Sequence, residues 1–244
     1  MPRVAPIVPA ETDVLCEGCG YTLNGLPETS NCPECGRAIA ESVGTHRRLS
    51  PFETTGAFRE FVKTTLAVLF RPTAFYGTLR ARQETVRSIT FANGHRLIAA
   101  VLFALAAFGH LLWILDTSLG GIDRPIWLDT VALVGMFLII LPLMMGVTAL
   151  ASWLSAIEAK YWGMRLPRPI VRRAMRFHAA SYLPVGLLAV AIVWGFRAAM
   201  LNRLIPPDRA TWYLYTLCAV VIVSAGYLFR MYWIAMRGMM YANR

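Results

Sequence analysis

Four of the five cysteines stand in two matched pairs, Cys16-x-x-Cys19 and Cys32-x-x-Cys35, with twelve residues between the pairs. Two intervening residues let both thiolates of a pair reach one ion from a single tight turn, and a second pair closes a tetrahedron. Gly20 and Gly36 follow the second cysteine of each pair, where such a turn often needs a positive φ. Pro33 pre-sets the turn in Cys-Pro-Glu-Cys. Four thiolates suit zinc or a single iron. Zinc is the expected metal, because no neighbouring residue suggests an electron-transfer partner. A closed site of four cysteines keeps no position open for water or substrate, so one structural Zn2+ and no catalysis are expected. A module of about 25 residues cannot bury an adequate core, so metal binding must supply much of its folding free energy. The fifth cysteine, Cys218, stands alone in an apolar run and reads as a small buried residue.

The elements that must carry this site are unusual in composition. The 244 residues are 57% hydrophobic and 16% charged, where an ordinary soluble domain is about a quarter charged. That balance excludes a disordered chain and points to a membrane protein. Four apolar runs, residues 97–115, 127–154, 181–201 and 212–235, each come near or exceed the roughly 20 residues that cross a hydrocarbon core of about 30 Å. A spanning segment must satisfy its own backbone polar groups, so helices are expected. Pro142 reads as a kink within one helix and not as a break into two spans. The expected fold is an all-α transmembrane bundle of four spans with a small N-terminal zinc ribbon. Its expected divisions are a disordered tail (1–13), the ribbon (14–40), a hydrophilic linker (41–50), an amphipathic basic neck (51–96) and the transmembrane domain (97–244). In the neck, Phe58, Phe61, Val62, Leu66 and Leu69 fall on one helical stripe, with Arg59, Glu60 and Lys63 off it. Phe58, Phe61 and Leu66 are expected to face lipid or the bundle.

Charge sets the topology. The net charge is +10. Arg80, Arg82, Arg87 and Arg96 precede the first run, and Lys160, Arg165, Arg168, Arg172, Arg173 and Arg176 lie between the second and third. The first loop instead holds Asp116, Asp123 and Asp129 against Arg124. Positive residues favour the cytoplasm, so both ends and the basic second loop are expected there, in a multi-pass protein of the inner membrane. A reducing compartment also argues against two disulfides. The ribbon itself is acidic. Glu11, Asp13, Glu17, Glu28, Glu34 and Glu41 face Arg37 alone. Nucleic acid, which needs Lys and Arg on the contacting module, is therefore not an expected partner. Arg59, Lys63, Arg71, Arg80, Arg82 and Arg87 are expected to bind anionic lipid headgroups, at about 1 kcal/mol each near the surface.

Within the spans, His110 reads as a neutral group hydrogen-bonded between helices, at the depth of Tyr215 and Thr216. Arg197 is expected to snorkel to the outer surface. Ala151, Ser155 and Ala159, with Ser152 and Ala156, form small-residue rows that permit close helix packing. Acids are almost absent from the spans, and no phosphate-binding loop, HExxH or Ser/His/Asp set occurs. The expected role is non-enzymatic docking or scaffolding, with the acidic ribbon engaging a protein partner or its own membrane domain. Two alternatives stand beside it. One is a transporter or channel component with a path near His110, Pro142 and Pro184, for which four spans would need a homo-oligomer. The other is an iron redox module at the four cysteines.

The stretch CEGCGYTLNGLPETSNCPECGRAI resembles the short four-cysteine zinc ribbons that head many bacterial multi-pass membrane proteins. Its knuckles are also similar to those of rubredoxin, although the spacer is much shorter than in that family. The run Leu69-Phe70-Arg71-Pro72-Thr73-Ala74-Phe75, with His178-Ala179-Ala180-Ser181-Tyr182-Leu183-Pro184, resembles the Yip-type membrane family. That resemblance implies a small integral membrane protein linked in eukaryotes to membrane trafficking, usually with five spans, and no catalytic residues to carry over.

Overall fold

A computed structural model describes residues 9–10, 12–43, 47–118, 125–205 and 210–243. Most of the expected N-terminal tail, Asp123 and Arg124 of the first loop and the third-loop pair Asp208 and Arg209 lie outside the described residues. The helices are α1 (Ala40–Val43), α2 (Pro51–Thr55), α3 (Phe58–Phe70), α4 (Pro72–Thr78), α5 (Val86–Ser118), α6 (Ile126–Tyr161), α7 (Arg168–His178), α8 (Tyr182–Leu201) and α9 (Ala210–Met239). Among the described residues there is no extended strand. The two cysteine knuckles are each closed by one isolated antiparallel bridge, Leu15 with Thr22 and Asn31 with Ala38.

Four helical stretches are long and apolar enough to cross a membrane: Val86–Asp116, Ile126–Tyr161, Arg168–Leu201 and Thr211–Met239. The first begins well before Leu97, because Ser88, Phe91 and Ala92 continue one buried helical face upstream of the apolar run. The second runs through Pro142 as one helix, with a single backbone donor lost. The third is α7 and α8 joined through one 3-10 turn, Ala179–Ser181.

The chain divides into two compact units. The first comprises Met1–Ala92, Thr148–His178 and Met231–Arg244. Its local folding is specified by strong stop and start signals. Ser50 caps α2 in a reciprocal capping box with Glu53, Pro51 takes the first helical turn, and Gly56 ends it at φ 74°. Pro72 then opens α4 directly after α3. The core is a chain of aromatic rings, with Phe91 5.0 Å from Phe61 and 5.3 Å from Phe177, and Phe177 5.2 Å from Phe75. Beside it lies a fully buried ion pair. The Arg173 guanidinium meets the Glu53 carboxylate with both nitrogens, at 2.8 and 2.9 Å. Arg173 Nε also donates to the Arg80 carbonyl, and Thr85 Oγ1 donates to Glu53 Oε1. Burial alone would push the Glu53 carboxyl up, but Arg173, the Thr85 hydroxyl and the Ser50 amide outweigh it and hold it below its usual range.

The segment 41–50, expected to be a hydrophilic linker, contains buried Ser42, Arg47 and Ser50. The stripe on α3 also divides. Phe61 stacks edge-on to Phe52 at 5.3 Å and Leu69 is half-buried, whereas Phe58, Val62 and Leu66 remain exposed. The small-residue row of α6 does pack: Ser152, Ser155 and Ala159 are buried, and the Tyr232 hydroxyl donates to Ser155 Oγ at 2.7 Å.

The second unit, Asn93–Val147 and Ala179–Arg230, is held differently. A Cβ on Gly109 would lie 2.8 Å from Val193 Cγ1, and one on Gly186 would lie 2.9 Å from Leu102 Cβ. Glycine thus lets α5 and α8 touch nearly backbone to side chain. His110 Nδ1 lies 2.8 Å from the hydroxyl of the buried Tyr213, not beside Tyr215 or Thr216. Trp113 and Phe196 surround Tyr213, at 4.3 and 5.5 Å between ring centroids. Arg197, expected to snorkel, pairs with Asp116 at 3.1 Å and lies over Trp194. Cys218, expected to be buried, is exposed on α9, because that helix face is not covered by protein.

Candidate metal centre

The centre is built from two copies of one turn. The first cysteine of each knuckle donates its amide across the turn, Cys16 to the Tyr21 carbonyl and Cys32 to the Arg37 carbonyl, both at 2.8 Å. Its own carbonyl accepts from the glycine after the second cysteine, from Gly20 at 2.8 Å and from Gly36 at 2.9 Å. These glycines adopt φ 83° and 72°, where a Cβ would be strained. The spacing read from the sequence is therefore realised as two matching knuckles that face each other.

The four sulfurs all lie within 4.8 Å of one another. Cys16 Sγ is 3.5 Å from Cys35 Sγ, and Cys19 Sγ is 3.6 Å from Cys32 Sγ, so both close contacts join one knuckle to the other. A tetrahedral site with metal–sulfur bonds of about 2.3 Å has sulfur–sulfur edges of about 3.8 Å, whereas a disulfide needs about 2.05 Å. The donor set fits a single ion, and all four are free thiols. Cys16, Cys19, Cys32 and Cys35 are thus able to bind one metal ion.

The electrostatics point the same way. Burial opposes ionisation of Cys16, but the backbone amides of Cys19 and Gly18 outweigh it and bring the thiol down to about 7. Burial pushes Cys19 up to about 12. One thiolate in the group makes the next harder to form, and a dication removes that penalty for all four. The apolar support is small. Leu23 and Ile39 are buried with Cys16 and Cys32, and Val14 and Leu26 pack partly against them.

The knuckles do not stand free of the rest of the first unit. The side-chain amide of Asn243 donates to the Leu15 and Ser42 carbonyls at 2.8 and 2.7 Å, and its oxygen accepts from the Leu15 amide at 2.8 Å. Tyr241 covers Gly20 so closely that a Cβ there would lie 2.6 Å from its ring. Glu17, inside the first knuckle, pairs with Arg47 at 2.8 and 2.9 Å, both groups being buried. Arg47 extends further, to the carbonyls of Tyr76, Leu79 and Gly238. Arg165, three residues before α7, donates to the Ala10 and Asp13 carbonyls and to Asn243 Oδ1.

The basic residues expected to bind headgroups are spread along the neck. Arg59, Arg71 and Arg82 are exposed. Lys63 pairs with Glu60 at 2.6 Å, Arg80 reaches Gln83 at 2.9 Å, and Arg87 donates to the Glu53 and Thr54 carbonyls. Sequence reasoning missed Arg47, Arg165, Arg173, Glu53 and Asn243 as structural residues. The Ser50-x-x-Glu53 pattern was a legible sign of a capping box. The partners of the others lie far away along the chain.

No family model, curated protein or solved structure matches the chain. The Yip-type resemblance of residues 69–75 and 178–184 thus gains no support from a family match.

Proposed function

We propose that this protein is a non-enzymatic, multi-pass component of the cytoplasmic membrane. Its four apolar helical stretches cross the bilayer, both ends face the cytosol, and one structural Zn2+ on Cys16, Cys19, Cys32 and Cys35 staples the cytosolic unit together. The observation that carries the reading is Asn243, which ties the chain's C-terminal end to Leu15 and Ser42 on either side of the knuckles. The metal's binding free energy therefore supports a unit assembled from three separated segments, beyond the two short turns. Zinc is favoured over iron because the four sulfurs form a closed donor set with no redox group beside it. Cytosolic placement agrees with four free thiols and with the basic second loop.

The exposed arginines Arg59, Arg71 and Arg82, with Lys63, Arg80 and Arg87, rest on anionic headgroups in this reading. The exposed acids Glu28, Glu34 and Glu41 present a face suited to a basic protein partner and repel nucleic acid. Metal analysis of the purified full-length chain, combined with reporter fusions after Val14 and Tyr241, tests the proposal. One zinc per chain and two cytosolic reporters are expected. One iron per chain, or a reporter on the far side, would overturn it.

A further inference from the structure

An open cleft of about 580 Å³ lies in the first unit, between the first knuckle, α4 and the end of α9. That size suits a small ligand or a headgroup. Its charges are uneven. Glu17 is held by Arg47, and Glu41 is paired with Arg37 at 3.5 Å. Arg237, in the last turn of α9, lines the cleft and is exposed, and among the described residues no carboxylate pairs with it. Among the side chains that line the cleft, Arg237 is therefore the cation without a carboxylate beside it. The adjacent Gly238 carbonyl, which would repel an anion, is already taken by Arg47 at 3.1 Å.

The other lining groups suggest what that charge faces. Trp233 lies one helical turn before Arg237, on the same side of α9, and half of its surface is exposed. Trp and Arg one turn apart at the end of a long apolar helix have the composition of a membrane interface, where the indole sits at headgroup depth and the guanidinium reaches outward. Thr73 brings an exposed hydroxyl from α4. Gly77 leaves room: a Cβ added there meets nothing within 4 Å.

We propose that this cleft binds the phosphodiester of a membrane phospholipid, with Arg237 and Thr73 as donors to the phosphate and Trp233 against the glycerol end. One phosphodiester carries one negative charge, which matches the single unpaired cation. The inference rests on the reading of α9 as a membrane helix. A lipid is favoured over a soluble phosphate ester because Trp233 and Ile234 line the cleft from a helix whose preceding residues form an apolar span.

The test is lipid retention by the full-length protein, purified from bilayers of mixed phosphatidylglycerol and phosphatidylcholine and weighed by native mass spectrometry. One tightly held phosphatidylglycerol per chain is expected. Arg237→Gln should lower its retention by about tenfold or more, since a hydrogen bond to a charged group is lost. Gly77→Leu should do the same by filling the cleft while leaving every charge in place. Arg203→Gln, which removes an exposed arginine from the other unit, should change nothing. Unchanged retention in both cleft variants would overturn the proposal. So would displacement of the lipid by soluble glycerol phosphate at millimolar concentration, which would assign the cleft to a free ester. Recovery of the protein in the soluble fraction would instead overturn the membrane reading, and is distinguishable from either result.

Discussion

The two compact units of this chain are stabilised by opposite means. In the first, charged side chains act as internal clips: Arg47, Arg165 and Arg173 each reach two or more partners distant in sequence, most of them backbone carbonyls. In the second, close contact comes from what is absent, the Cβ atoms of Gly109 and Gly186, and from a ring cluster around Tyr213. The contrast is the one expected if the apolar helices of the second unit cross a bilayer, as proposed. In lipid the apolar effect does not drive helices together, so small residues and shape must. Beside water, a guanidinium can be buried if its donors are satisfied, and it then holds several segments at once. Arginine beside long apolar helices is therefore not a topology signal alone.

The largest expected effect breaks the first unit at its metal. Structural zinc contributes on the order of 10 kcal/mol or more to the folding of small cysteine sites. Cys32→Ser should abolish stoichiometric metal and open residues 14–40 to protease, with metal content and limited proteolysis as the readouts. Next comes the buried pair. Glu53→Gln should cost about 3–5 kcal/mol, because it leaves Arg173 buried without its counter-charge. Its pH dependence has a definite sign. The folded carboxyl is held below its unfolded value, so the pair's stabilisation is fully present above the ordinary carboxylate range and is lost as pH falls through the folded value. Thermal melts of wild type and Glu53→Gln should therefore converge on acidification, and a constant gap would count against the pair.

The comparison is sharpened by a variant in the second unit. Gly186→Leu drives a side chain into Leu102 and should cost about 1–3 kcal/mol in detergent unfolding, with metal content unchanged. The smallest effect is expected at His110→Phe, which removes one interhelical hydrogen bond to Tyr213, worth about 1 kcal/mol in thermal unfolding.

The metal site was almost wholly legible, because a Cys-x-x-Cys knuckle is specified within about eight residues. The glycines at 20 and 36 have the positive φ that their positions required. The four apolar helices were legible too, since length and composition suffice. Arg173 counts in the sequence as one of the topology-setting charges of the second loop, but it lies buried against Glu53, as Arg47 does against Glu17. Nothing within a helical turn of either residue announces its partner. Glu53 and Arg173 are 120 residues apart. Asn243 gave no signal at all, being a lone amide near the chain's end whose acceptors are backbone atoms. The interhelical hydrogen bond of His110 was legible, but its partner Tyr213 was not, because matching positions along two helices does not resolve which face of α9 turns inward.

Hydrogen exchange of the full-length protein, before and after metal removal by a chelator, tests the central claim most directly. Metal loss should release amides of residues 15–39 and, in step with them, those of residues 239–243, while amides of α8 within the second unit keep their protection. Knuckle amides that exchange while residues 239–243 stay protected would show that the metal supports its own turns alone, and the account of a stapled unit would be wrong.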